Sequence, residues 1–213
     1  MANQNQKVNS VDKLLAGTER LFLLLMIGLL PIIVFFLLGW WGSLAITTEE
    51  NIKFFAIGGL ILGLLVDILF LRRWVRKAYS LPVGWFVVFY LFYSIGMFGF
   101  FMGMPLLNVL MGLVGGYYVG LCLRYANKEK AEVEQAAKRT ALFAAGVMAV
   151  VCLASWMIAY LEPSIAANVQ GMLKMEHALS RERVLIYSAF GGLGLVVVEY
   201  FITRWMVKFA RFM

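Results

Sequence analysis

Charge is scarce in this chain, and so are cysteine and histidine. Charged residues make up 15% of the 213 positions, against about 25% in an ordinary soluble domain. So little charge excludes a solvated surface of normal extent. The two cysteines, Cys122 and Cys152, both sit inside apolar runs. That excludes a disulfide framework and a thiolate metal site, and each reads as a small buried hydrophobe. The single histidine, His177, stands beside Glu176, whereas zinc takes three or four protein ligands. It reads as a surface residue. No Ser–His pair, histidine cluster, paired cysteines or phosphate-binding loop is present, so neither an enzyme nor a cofactor site is expected.

What the chain has instead is apolar length. It is 62% hydrophobic, with mean hydropathy +0.84. A soluble core cannot absorb that much apolar surface, so the expected solvent is a lipid bilayer. A spanning helix needs about 20 mostly apolar residues. Six such stretches fall near 21–41, 54–71, 84–102, 105–123, 140–161 and 184–203. Positions 78–123 carry no charge at all and are too long for one span. Gly103 and Pro105 in "GFFMGMP" supply the turn that folds this run back on itself. The first run follows a polar segment, 1–20, without a small-residue cleavage site and reads as a retained span. The expectation is an all-α bundle of six transmembrane helices in one domain, 21–213, behind a cytoplasmic N-terminal segment.

The loops sort by cation. The N-terminal segment and the second, fourth and C-terminal connections hold fifteen of the nineteen Lys and Arg; only Lys53, Lys174, Arg181 and Arg183 fall on the other side. The positive-inside rule then places both termini in the cytoplasm. The net charge of +7 is thereby a threading signal. It is no nucleic-acid footprint, because no cation cluster comes with a binding module. Trp40, Trp41, Trp156 and Tyr160 fall at the expected outer interface, and Trp74, Trp85, Tyr125 and Trp205 at the inner one. Short loops and the cation bias point to a bacterial inner membrane.

Outside the hydrocarbon, "TTEE" (Thr47–Glu50) predicts a capping box opening the second helix. Asn127 is predicted as the N-cap of a charged extension of the fifth, with a Glu134→Lys138 pair on its face. The loop after Leu161 places Ile165, Val169, Met172 and Leu179 at helical spacing. It predicts a short amphipathic helix, weakened by Gly171.

Helices in lipid approach each other through small residues. Gly112, Gly116 and Gly120 recur every four positions in the fourth span, and Gly59 and Gly63 do so in the second. The sixth carries Gly191, Gly192 and Gly194. These predict close packing of spans two, four and six, or a homo-oligomer contact. Pro31 predicts a kink. The second and sixth spans also echo each other: "AIGGLILGLLVDILFLRRWVRK" against "AFGGLGLVVVEYFITRWMVK". Duplication is one reading. Shared constraint on glycine-rich helices ending in cations is the other.

Two acids lie inside spans. Asp67 and Glu199 each precede an arginine, Arg72 and Arg204, by five residues. That is about 7–8 Å at 1.5 Å per residue. Five is the wrong spacing for a pair on one helix, so each acid must look to water or to another helix. One expectation pairs Asp67 with Arg204 and Glu199 with Arg72 at the inner rim. The other has the two acids line a cavity that binds a proton, a cation or a basic solute, with Asn108 completing a path. The functional expectation is a small transporter or channel for a cation, proton-coupled or basic solute. The alternative is a non-catalytic membrane subunit or scaffold factor of a larger complex.

Overall fold

The computed structural model describes residues 2–80, 83–101, 103–173 and 180–213. The described residues are helical with short connections and contain no strand. The chain divides into two compact units, Met1–Leu81 and Pro82–Met213.

The first unit is an antiparallel hairpin of α1 (Ala2–Leu44) and α2 (Glu49–Lys77), closed by a 3₁₀ turn at Ala78–Ser80. The connection turns on the Ser43 carbonyl, which accepts from the N–H groups of Ile46 at 3.0 Å and Thr47 at 2.9 Å. The expected capping box at Thr47 does not form. The N-cap is Thr48, one residue later, and its side chain makes no cap hydrogen bond. Its hydroxyl instead accepts from Asn51 Nδ2 at 3.3 Å. Glu49 and Glu50 in the first turn of α2, and Arg76 and Lys77 in the last, still complement the helix dipole.

Glycine sets the approach of these two helices. A Cβ at Gly59 would stand 2.1 Å from the Phe35 carbonyl oxygen. One at Gly63 would meet Ile32 Cα at 2.6 Å and the Pro31 carbonyl at 2.8 Å, and one at Gly39 the Phe55 carbonyl at 2.3 Å. Backbone therefore lies on backbone. Pro31 sits inside α1, and its ring leaves the Ile27 carbonyl without its usual donor.

The second unit runs α3 (Val83–Phe100), a 3₁₀ turn (Pro105–Asn108), α4 (Val109–Tyr125), α5 (Lys130–Leu161), α6 (Ile165–Leu173) and α7 (Arg181–Phe212). The turn predicted at Gly103 and Pro105 is present: Gly103 has φ +82°, a left-handed conformation that glycine adopts freely, and Pro105 opens the 3₁₀ turn. The short helix predicted after Leu161 is α6. His177 and Leu179 lie outside the described residues.

Asn127 closes α4; it does not open α5. Its φ is +51°. Its N–H reaches the Arg124 carbonyl at 3.1 Å, and the next N–H, of Lys128, reaches Leu123 at 3.2 Å. Those two bonds make a Schellman end, in which asparagine stands in for the usual glycine. The N-cap of α5 is Glu129, whose N–H is taken by Glu132 Oε2 at 3.2 Å.

α4 and α7 run parallel. Cβ atoms at Gly116 and Gly120 would stand 2.8 Å from the Thr203 carbonyl and 2.6 Å from that of Val207. Within α7, by contrast, Gly191 and Gly194 have nothing within 4 Å of a Cβ, and Gly192 meets only Cys152 of α5. Spans four and six of the expectation, α4 and α7, do pack on one another, through the glycines of α4; within the first unit α2 takes its close contact from α1.

Among the described residues five helices are long and apolar enough to cross a membrane. Their broad faces carry exposed large hydrophobics, Ile68 at 76%, Leu69 at 72% and Val150 at 67% exposure. The acids point the other way. Asp67 is 8% exposed and Glu199 1%. Apolar outside and charge within is the pattern of a chain solvated by lipid, so this is a multi-pass membrane protein.

Candidate functional site

In the second unit three polar tiers stack along the faces of α3, α4 and α7. Each tier follows from helical spacing. Tyr90 and Ser94 are one turn apart on α3. Asn108 and Gly112 are one turn apart at the start of α4. Glu199 and Thr203 are one turn apart on α7.

The first tier joins Asn108 to α3: its Nδ2 donates to the Ser94 carbonyl at 2.9 Å. The second tier is Glu199, whose Oε1 accepts from the Tyr90 hydroxyl at 2.8 Å. The third is Thr203. Gly112 is what lets the lower two tiers close. A Cβ there would stand 2.5 Å from Thr203 Oγ1 and 2.8 Å from Glu199 Oε1, so both side chains occupy space that any other residue would fill. Successive tiers are about 6 Å apart along the helices at 1.5 Å per residue.

All three tiers are enclosed. Asn108 is 3% exposed, Glu199 1% and Thr203 0%. Each also carries one oxygen that takes no hydrogen bond among the described residues: Asn108 Oδ1, Glu199 Oε2 and Thr203 Oγ1. A buried polar atom left unpaired costs about 1–3 kcal/mol. Three in one column is a large outlay for a purely structural contact. The donor set is oxygen only: amide, carboxylate and hydroxyl. That chemistry suits a proton, a hydrated hard cation or a protonated amine. Cys152 on α5 lies within electrostatic reach of Glu199. Among the described residues no group of three His, Cys, Asp or Glu could hold a metal ion.

At the charged end of the second unit two cations of α7 converge on one acid of α5. Arg204 is held by Glu134 of α5, which also pairs with Lys208 at 2.6 Å. Glu134 thus binds across to α7 in place of the i,i+4 pair expected with Lys138, because two cations of the neighbouring helix converge on it. Glu199 takes its hydrogen bond from a neutral tyrosine.

In the first unit Asp67 stands against α1, with Oδ2 3.6 Å from a Cβ built at Gly28. Its Oδ1 is buried without a hydrogen-bond partner among the described residues. Arg72, five residues beyond, has its carbonyl taken by Arg76 Nε at 3.3 Å. A second buried acid, Glu19 at 4% exposure, was not singled out by the sequence, because it borders the polar N-terminal segment. Tyr90 and Thr203 were also missed. Thr203 is four residues from Glu199 and could have been found from that spacing. Tyr90 has no such signal among nine tyrosines and seventeen phenylalanines.

No protein-family model, curated protein or solved structure matches the chain.

Proposed function

We propose that the protein is a small six-span membrane transporter or channel for a cation, a proton-coupled solute or a basic solute, with Glu199 as the residue that takes up and releases the charge. The observation that carries this reading is Glu199 itself. It is enclosed, bonded to a neutral tyrosine and left with one free oxygen. An ionised side chain at the membrane centre costs on the order of 2.5–3.5 kcal/mol by insertion scales. A proton or cation that shares the site offsets that cost. A buried arginine would do so permanently, but Arg204 is engaged by Glu134. Asn108 and Thr203 extend the oxygen column above and below, and glycine at positions 112, 116 and 120 keeps α4 and α7 close enough to hold its shape.

The sixth span in this reading is α3. Its 18 residues rise about 27 Å, slightly less than the ~30 Å hydrocarbon core, a mismatch that local thinning absorbs. The loop cations then place both termini in the cytoplasm, in a bacterial inner membrane. Asp67 is a second candidate within its own unit.

The alternative, a non-catalytic subunit of a larger complex, draws on the length of α5 and α7. Each has 32 residues, about 48 Å, so both outrun the bilayer and carry charged ends that a partner protein could grip. One experiment separates the two. The protein is reconstituted in liposomes holding a pH-sensitive dye, and a panel of alkali cations and small amines is added outside. The transport reading expects a pH or cation response that Glu199→Gln abolishes. No response to any of them, with a membrane protein copurifying from gentle detergent, favours the subunit.

A further inference from the structure

At the charged end of the first unit, Arg20 of α1 and Arg72 and Arg76 of α2 line one groove of about 630 Å³, with Leu24 and Val75 completing it. We infer that this groove is a binding site for the headgroup of an anionic phospholipid.

Three observations converge there. The first is charge without neutralisation. None of the three arginines is in an ion pair among the described residues. The nearest acid in sequence, Glu19, is buried and already has an interaction of its own. The second is arrangement. Arg72 and Arg76 are one turn apart and share a face of α2, and Arg76 Nε is tied to the Arg72 carbonyl at 3.3 Å. That bond leaves the two NH₂ groups of Arg76 to meet a ligand. Arg20 faces them because the α1–α2 register brings the chain ends together: Gly28 lies against Asp67 and Leu71, and Gly63 against Pro31 and Ile32. Three guanidiniums around one space fit a phosphodiester, whose oxygens accept paired N–H bonds. The third is depth. Leu21 begins the uncharged stretch of α1 and Leu71 ends the apolar stretch of α2, whose one charge is the buried Asp67, so the arginines stand where hydrocarbon gives way to headgroups. Leu24 and Val75 offer an apolar wall to the start of an acyl chain. Basic pockets between spanning helices commonly take lipid phosphates in this way. Arg73 and Lys77, on the same helix, do not line the groove.

The test uses the whole protein in a neutral detergent. Native mass spectrometry counts adducts on titration with phosphatidylglycerol, then with phosphatidylcholine of the same chains. Melting is followed in parallel with each lipid and with inorganic phosphate. The expected result is preferential binding of phosphatidylglycerol with a raised melting temperature. Affinity should fall about fivefold for each arginine removed in Arg72→Gln, Arg76→Gln and Arg20→Gln, while Arg73→Gln stays at the parent value. Because Arg20 lies on the other helix, its variant carries the same expectation if an α2 variant fails to fold. Equal binding of the two lipids would overturn the inference. So would an equal loss in Arg73→Gln, which would mean diffuse charge, or equal protection by inorganic phosphate, which would mean a soluble-anion site.

Discussion

In the first unit Asp67 projects from α2 against Gly28 of α1; in the second Glu199 projects from α7 against Gly112 of α4. Both acids precede an arginine by five residues, both are buried, and both keep one oxygen free of protein hydrogen bonds. Their surroundings differ. Glu199 has a tyrosine donor and stands between two further polar tiers, Asn108 and Thr203. Asp67 has a helix packed against it through glycine, with Leu71 beside it. A carboxylate becomes a site through the polar groups stacked with it, and only the second unit supplies a column of them. The backbone contacts differ as well. In the antiparallel α1–α2 pair the glycines lie on both helices; in the parallel α4–α7 pair they lie on α4 alone. Close approach in the first unit holds a hairpin together. In the second it also makes room for Glu199.

The largest expected effect probes that backbone contact. Gly59→Leu drives a side chain into the Phe35 carbonyl and should cost about 3 kcal/mol of stability. Gly116→Leu, set against the Thr203 carbonyl and Met206, should cost somewhat less. Gly146→Leu has open space around it and should leave melting in detergent nearly unchanged. Equal shifts for all three would mean that none of these contacts sets the helix spacing.

A sharper contrast comes from Thr203→Val. Its hydroxyl has no protein partner, so removing it should leave stability within about 1 kcal/mol of the parent while reducing flux. If melting instead falls steeply with flux unchanged, Thr203 is a packing residue and the column is one tier shorter. Tyr90→Phe should act similarly on flux and cost about 1.5–3 kcal/mol, because it strips a charge-assisted bond from an enclosed carboxylate. Glu134→Gln should matter least. Its pairs with Arg204 and Lys208 are solvent-exposed, and such pairs contribute little to stability. A loss beyond that would give the α5–α7 ends a structural role that surface pairs do not have.

Much of this was legible in the sequence, and the reasons are physical. The glycines singled out by four-residue spacing in spans two and four, Gly59, Gly63, Gly112, Gly116 and Gly120, are positions where a Cβ would collide with a neighbouring helix. Spacing encodes a helix face, so it shows in one dimension. The Gly103–Pro105 turn was legible because 46 uncharged positions cannot form one span. Asn127 was misjudged because asparagine serves both ends of a helix, and only φ distinguishes the end of α4 from the start of α5. The partner of Glu134 was misjudged because i,i+4 spacing on α5 competes with two cations that only tertiary packing brings near. Tyr90 was invisible for the same reason: its hydrogen bond joins residues 109 apart.

The most direct test pairs flux with melting. Proteoliposome flux of the responsive cation or proton, and melting temperature in detergent, are measured for the parent, Glu199→Gln, Asp67→Asn and the double variant. The account predicts that Glu199→Gln melts like the parent and loses its flux, that Asp67→Asn keeps most of it, and that the double variant matches Glu199→Gln. Undiminished flux in Glu199→Gln, with melting unchanged, would contradict the central claim and leave Glu199 a buried bystander.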